Sequence, residues 1–178
     1  LETTGNGCRR YWKNAGLDGR EHGQPIKERM GGRMQDLLSI YIPTYNRPKD
    51  MDRLLCSIIT GNGRFIDGIP IYISSNNPEE KETFRIVSKW KEVYPYISYF
   101  YNDTNIGIDA NHDKIYEYCR NSQYALEIAD DDLLLEGALE DIIDLCKEDF
   151  LFALCNAYPY FFSGGIDCSQ KIYDCAEK

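Results

Sequence analysis

Apolar runs alternate with stretches of helical periodicity from residue 37 onwards. Short runs of aliphatic, β-branched and aromatic residues predict five strands, at 37–42, 69–75, 96–101, 124–129 and 150–155. Between them, apolar residues three to four positions apart predict four helices, at 48–59, 78–90, 110–120 and 139–146. Strands that alternate with helices indicate an α/β fold, with a mainly parallel sheet flanked by helices.

Polar residues follow each of the first four predicted strands. These polar loops are residues 43–46, 74–76, 102–107 and 130–132. Right-handed crossovers bring the carboxyl ends of parallel strands to one edge of a sheet. Open α/β sheets bind their ligands outside that edge. The four loops therefore predict one shared binding site.

The first 33 residues differ from the rest in composition. They hold seven of the 14 glycines and carry a net charge of +3, whereas residues 34–178 carry −12. No helical or strand period is visible before Met34. We therefore expect a non-native or disordered N-terminal tail over 1–33 and a folded domain over 34–178. A genuine, poorly ordered arm is the alternative.

Charge and cysteine content exclude several classes of protein. A net charge of −9 argues against nucleic-acid binding, which needs a basic face. No apolar run approaches the ~20 residues of a membrane-spanning helix, and residues 1–33 lack the apolar core of a secretory signal. The seven cysteines have no C-x-x-C spacing, so we predict neither a disulfide framework nor a zinc ribbon. A reducing cytoplasm is the expected location.

Three consecutive aspartates, Asp130, Asp131 and Asp132, follow the fourth predicted strand. Like charges this close repel one another unless something compensates them. Mg²⁺ or Mn²⁺ would do so, because these cations combine carboxylates with water and phosphate oxygens. In an extended or turn conformation, Asp130 and Asp132 point to one side and are candidate metal ligands. Capping of the next helix is the alternative, but the neighbouring polar loops favour a ligand site.

Three motifs in order resemble those of glycosyltransferase family 2. The run LSIYIPTYNRP at 38–48 is similar to the opening signature of that family. Asn105-Ile106-Gly107 with Asn111 resembles its N-x-G…N segment, and ADDDL at 129–133 resembles its D-x-D region. The resemblance covers residues 36–156. Its closest form is that of bacterial enzymes that build surface polysaccharide, including abequosyltransferase-like members.

This resemblance implies a GT-A fold, in which a Rossmann-like nucleotide-binding half precedes an acceptor half. It also implies metal-assisted transfer of a sugar, usually with inversion, from a nucleotide-diphosphate donor to a saccharide or lipid-linked acceptor. Such an enzyme would work in the cytoplasm, and peripheral association with the inner face of the membrane stays open. A non-catalytic nucleotide-sugar-binding module of the same fold is the alternative. A metal-dependent nucleotidyltransferase is disfavoured, because the loop after the first strand has no glycine.

The resemblance also implies roles for individual residues. The base and ribose would be lined by Pro43, Thr44, Tyr45 and Asn46. Arg47 would approach the diphosphate or pack locally, while Asp130 and Asp131 would lie near the ribose and diphosphate. Asp132 would be the leading metal ligand. The cofactor-binding set is completed by Asn105, Gly107 and Asn111.

Two departures from the family pattern stand out. Many members have a base-reading aspartate after the second strand, where this chain has Ser74-Ser75-Asn76. Ser75 or Asn76 is then the candidate reader of the base. The chain also stops at Lys178, so we expect the acceptor half to be missing. The catalytic base that inversion requires is unknown, since nothing marks Asp149, Asp167 or Asp174 for that role.

Overall fold

The computed structural model describes residues 34–148, together with residues 153 and 155. Its four strands are β1 Leu38–Thr44, β2 Ile71–Ser75, β3 Ile97–Tyr101 and β4 Tyr124–Glu127. The helices in this part of the chain are α1 Met34–Leu37, α2 Pro48–Ile59, α3 Glu82–Val93, α4 Ile108–Asp113, α5 Ile115–Tyr118 and α6 Ala138–Cys146. All strands pair in parallel, in the order β3-β2-β1-β4. The predicted α/β architecture is thus confirmed.

β1 lies inside the sheet, between β2 and β4, and all seven of its residues are buried. In its register with β2, Ile40 lies opposite Ile71 and Ile42 opposite Ile73. The apolar face of α2 covers these side chains, with Met51 among its fully buried residues. Fully burying each such side chain contributes about 1.5–3 kcal/mol. This packing fixes the carboxyl end of β1, where the first polar loop begins.

The second helix begins later than the sequence predicted. Pro78 was expected to open it, but α3 starts at Glu82. The Glu80 carboxylate accepts the backbone N–H groups of Glu82 (2.6 Å) and Thr83 (2.9 Å). Glu80 therefore satisfies donors that the first helical turn leaves without a partner. As a result, Pro78 and its neighbours form a turn beside the predicted site.

Two other predicted elements also differ or lie outside the described residues. The helix expected over 110–120 is divided at Lys114 into α4 and α5. Tyr118 is half-buried, whereas Cys119 is buried. The strand predicted at 150–155 falls outside the described residues except for 153 and 155.

No helix within residues 34–148 is long and apolar enough to cross a membrane.

The cysteines within the described residues differ in burial and in bonding. Cys119 and Cys146 are buried free thiols, and burial raises the pKa of Cys146 to about 11. They behave as small apolar residues. Cys56 is disulfide-bonded, a bond that the spacing of the cysteines did not predict.

Tyr94 ties the end of α3 to the loop that precedes β2. Its buried hydroxyl lies 2.5 Å from the Ile66 carbonyl oxygen and 2.8 Å from that of Ile69. We expect Tyr94→Phe to lower the free energy of unfolding by about 1–2 kcal/mol, since the two carbonyl oxygens lose the one buried O–H donor that they share. Urea denaturation measures this loss. Tyr96→Phe is the matched control, because the Tyr96 ring packs on Tyr94 but is 44% exposed. Equal losses in both variants would contradict the prediction.

Candidate functional site

The polar loops meet at the carboxyl edge of the sheet, as the sequence predicted. The Asn76 N–H donates to the Thr44 carbonyl oxygen (2.9 Å), and the Asn102 N–H donates to that of Ser75 (2.9 Å). These bonds continue the strand pairing past the ends of β1, β2 and β3. The loop after β4 joins them through the side chain of Asp130. Residues far apart in sequence thus share one edge.

Asp130 is the centre of this edge, and it is only 5% exposed. Its Oδ2 accepts the Thr44 hydroxyl (2.7 Å) and the Tyr45 N–H (3.3 Å). Its Oδ1 accepts an Arg47 guanidinium N–H (2.9 Å). A buried carboxylate needs such donors, because burial without them is costly. The loop after β1 and the aspartate triplet are therefore held as one unit.

Arg47 also bridges to the second aspartate of the triplet. The same Nη1 lies 2.6 Å from Asp131 Oδ2, and both side chains are about half exposed. The negative charge of Asp130 is the main cause that raises the pKa of Arg47, and Asp131 adds to it. The guanidinium therefore stays charged and balances two of the three aspartates.

Asp132 is the aspartate of the triplet whose charge Arg47 does not balance. Its backbone N–H closes a turn to the Ala129 carbonyl oxygen (3.1 Å). Partial burial raises the pKa of Asp132, and the charge of Asp131 raises it further, with a smaller part from Asp130. Excess negative charge at an exposed position suits a cation. Within the described residues, no three or more His, Cys, Asp or Glu side chains form a metal-binding group. A cation here would need further oxygen ligands.

Buried amides brace the loops after β2 and β3. Asn111 is 4% exposed. Its Oδ1 accepts hydrogen bonds from the Ser74 hydroxyl (2.8 Å) and from the side-chain Nδ2 of Asn102 (2.9 Å). Its Nδ2 donates to the Ser74 carbonyl oxygen (3.1 Å), and the Tyr41 hydroxyl donates to its backbone carbonyl. This network links β2, β3 and α4 beneath the site. Burial places Asn111 below the surface that a ligand could reach.

Asn76 extends the network to the loop before α4. Its Nδ2 donates to Asn105 Oδ1 (2.7 Å) and to the Gly107 carbonyl oxygen (3.1 Å). Its Oδ1 accepts hydrogen bonds from the backbone N–H of Ile106 (2.9 Å) and from the side-chain Nδ2 of Asn102 (3.2 Å). Gly107 has a φ of +87°, which favours glycine there. The N-x-G segment is thus held in place by a side chain from the second loop.

An exposed pair of amides spans the first and second loops. Asn77 Nδ2 donates to Asn46 Oδ1 (2.8 Å), and Asn77 Oδ1 accepts the Glu79 N–H (3.0 Å). Asn46 has a φ of +57°, a conformation that asparagine tolerates better than most residues. Tyr45 beside it is 48% exposed. Polar groups and an aromatic ring therefore face solvent where β1 and β2 end.

Sequence reasoning identified part of this arrangement and missed part. The predicted residues Thr44, Tyr45, Arg47, Asp130 and Asp131 do come together. Pro43 and Ser75 are buried within the strands. The bracing roles of Ser74 and Asn102 and the position of Asn77 were missed, although all three lie in or beside the polar loops. His112 contacts Glu127 and is partly exposed.

Comparison with known proteins agrees with this fold. The Staphylococcus aureus (strain N315) poly(ribitol-phosphate) β-N-acetylglucosaminyltransferase TarP is 25% identical to this chain over 112 residues, 63% of the chain. The chain spans about a third of the length of TarP (33%). The crystal structure of S. aureus TarS matches with a TM-score of 0.53 and 19% identity, over 61% of this chain and 19% of TarS. The crystal structure of S. aureus TarS 1-349 gives the same score over 31% of its length.

The matches to solved structures indicate a GT-A fold, as the sequence motifs implied. The abequosyltransferase-like subtype stays a prediction. The sequence profile of Glycosyl transferase family 2 matches residues 39–170, well over half of the chain. This match includes the three motifs and the strands that position them. The chain therefore belongs to glycosyl transferase family 2.

Proposed function

We propose that this chain provides the donor-binding part of a glycosyltransferase. It binds a nucleotide-diphosphate sugar, whose sugar passes to a saccharide or lipid-linked acceptor in cell-surface polysaccharide synthesis, with inversion. Family membership and the similarity to TarP and TarS support this function. The observation that carries it is the convergence of Thr44, Tyr45 and Arg47 on Asp130.

The electrostatics of the edge fit a diphosphate leaving group. Negative charge gathers on the diphosphate as the bond to the sugar breaks, and nearby positive charge stabilises it. Arg47 is the cation at this edge, and its half-exposed side chain can reach ligand as well as Asp130. The exposed ring of Tyr45 offers a surface for the nucleoside. The loop after β1 thus supplies both a cation for the diphosphate and an aromatic ring for the nucleoside.

A divalent cation fits the donor set at Asp132. Mg²⁺ and Mn²⁺ commonly use one or two carboxylates and complete their shell with water and substrate phosphates. The negative charge of Asp132 is not balanced by Arg47, whereas both oxygens of Asp130 already accept hydrogen bonds. Asp132 is therefore the better ligand of the two predicted. When bound, the cation would neutralise charge on the leaving diphosphate.

Removing the Asp132 carboxylate should abolish the metal dependence of nucleotide binding. Calorimetric titration of the 178-residue chain with UDP, GDP, CDP and dTDP, each with Mn²⁺ and with chelator, measures this. We expect one nucleotide to bind at least ~ten-fold tighter with Mn²⁺, which is about 1.4 kcal/mol. Asp132→Asn should bind it equally with Mn²⁺ and with chelator.

Asp141→Asn is the matched control, because Asp141 is an exposed aspartate on α6. This variant should keep the full difference in nucleotide affinity between Mn²⁺ and chelator. If Asp132→Asn also keeps it, Asp132 is not the metal ligand. If no nucleotide binds the unsubstituted chain with or without Mn²⁺, the donor-binding function is wrong for this chain.

A further inference from the structure

The Arg47 side chain stands between two carboxylates of the aspartate triplet. Its Nη1 lies 2.9 Å from Asp130 Oδ1 and 2.6 Å from Asp131 Oδ2. One nitrogen thus contacts both side chains, in the place that a cation bridging the two carboxylates would take. Both contacts are charge-assisted and short. The guanidinium therefore supplies, at this edge of the sheet, positive charge of the kind that the triplet was expected to draw from a metal ion.

The two contacts of Arg47 differ in how easily they can be exchanged. Asp130 is buried, and its Oδ2 accepts the Thr44 hydroxyl and the Tyr45 N–H, so these donors hold it in place without Arg47. The side chains of Arg47 and Asp131, in contrast, are 47% and 52% exposed. An ion pair between exposed groups contributes little to stability. The contact between Arg47 and Asp131 is therefore the one that a ligand can replace.

Arg47 keeps donors for an anionic ligand. A guanidinium carries five N–H groups, and the contacts to Asp130 and Asp131 both run through Nη1. The planar fork of an arginine matches two phosphate oxygens at once. A diphosphate that binds this fork competes with Asp131 for the same positive charge. When Arg47 turns to the diphosphate, Asp131 loses the cation that balances it.

We propose that Arg47 blocks the cation site of the empty protein by standing beside Asp131, and that the diphosphate of the donor draws Arg47 away. This proposal rests on the proposed donor-binding function. The released Asp131 then adds a second uncompensated carboxylate to that of Asp132, which supplies a further oxygen ligand for Mg²⁺ or Mn²⁺. The protein therefore takes up the cation together with the nucleotide and not before it. By thermodynamic linkage, a change that removes Arg47 from Asp131 strengthens cation binding.

The test is a titration of the full 178-residue chain with Mn²⁺ in the absence of nucleotide, in which electron paramagnetic resonance measures the free ion. Arg47→Ala should bind Mn²⁺ at least ~three-fold tighter than the unsubstituted chain, because a nearby positive charge repels a divalent cation twice as strongly as a monovalent one. Arg47→Met keeps part of the apolar stem of the side chain and should show the same gain. It takes the place of Arg47→Ala if that variant does not fold.

A double-mutant cycle with Asp131 shows whether the gain comes from this contact. Asp131→Asn alone should bind Mn²⁺ no tighter than the unsubstituted chain, because it removes both the partner of Arg47 and the carboxylate that the release of Arg47 would expose. Combining Asp131→Asn with Arg47→Ala should therefore cancel most of the gain in Mn²⁺ affinity. A purely structural role of Arg47 would not produce this pattern.

Arg64→Ala is the matched control. It removes the same unit charge from a side chain that is 79% exposed and lies 3.9 Å from Glu140, so it should leave the Mn²⁺ affinity unchanged. If Arg47→Ala binds Mn²⁺ no tighter than the unsubstituted chain, or if the double variant keeps the gain, the blocking role of Arg47 is overturned. Donor binding then stands if a nucleotide still binds the unsubstituted chain with Mn²⁺. If no nucleotide binds either, both proposals fall.

Discussion

Asp130→Ala should both destabilise the protein and remove its affinity for nucleotide. The substitution leaves the buried Thr44 hydroxyl and the part-buried Tyr45 N–H without an acceptor. We expect the free energy of unfolding to fall by about 2–4 kcal/mol, as each such group costs ~1–3 kcal/mol. The loop after β1 also loses its attachment to the aspartate triplet. Nucleotide affinity should therefore fall by at least ~ten-fold, about 1.4 kcal/mol.

Asp131→Ala is the matched control for this prediction. Asp131 is about half exposed and pairs only with Arg47 among the described residues, so its loss should cost less than ~1 kcal/mol. Urea denaturation of both variants gives the two free energies, and titration at a concentration of urea where both stay folded gives the affinities. Equal denaturation midpoints for the two variants would contradict the central role of Asp130.

The features of this site differ in how far the sequence predicts them. β1 and β2 were predictable because runs of apolar residues specify buried strands locally. The shared edge followed from the handedness of the crossovers, which needs no knowledge of side chains. Sequence spacing, however, groups Asp130 with Asp132, whereas in the structure Asp130 is buried and Asp132 is exposed. The Asp130 carboxylate accepts the hydroxyl of Thr44, which is 86 residues away, and spacing along the chain does not reveal this contact.

The position of α3 was mispredicted for a related reason. Pro78 followed by acidic residues has the composition of a helix start. In the structure, Asn77 accepts the Glu79 N–H and Glu80 accepts N–H groups of the first turn, which delays the helix to Glu82. Local side-chain hydrogen bonds thus outcompeted the helical propensity of this segment. That delay leaves Asn77 and Pro78 in a turn beside the candidate site.

Asn111 is a motif residue whose side chain has partners inside the protein. It belongs to the N-x-G…N segment, and the resemblance implied that it binds the cofactor, which stays a prediction. Its side chain bonds to Ser74 and Asn102, which lie 37 and 9 residues away. Amides with this many internal partners act as connections between loops. The requirement for asparagine at this position then comes from the fold, and its loss should appear first in stability.

Asn111→Leu should therefore destabilise the protein by about 3 kcal/mol, because the Ser74 hydroxyl, the Ser74 carbonyl and the Asn102 amide lose buried partners. Leucine matches asparagine in branching and in number of side-chain heavy atoms, so the substitution leaves no cavity and the effect reports mainly the lost hydrogen bonds. This is a large part of the ~5–15 kcal/mol that stabilises a typical domain. Asn105→Ala is the matched control, since Asn105 is exposed and water can replace it. Thermal and urea unfolding measure both variants. A loss at Asn111 no larger than that at Asn105 would mean that the buried network does not hold the loops of the site in place.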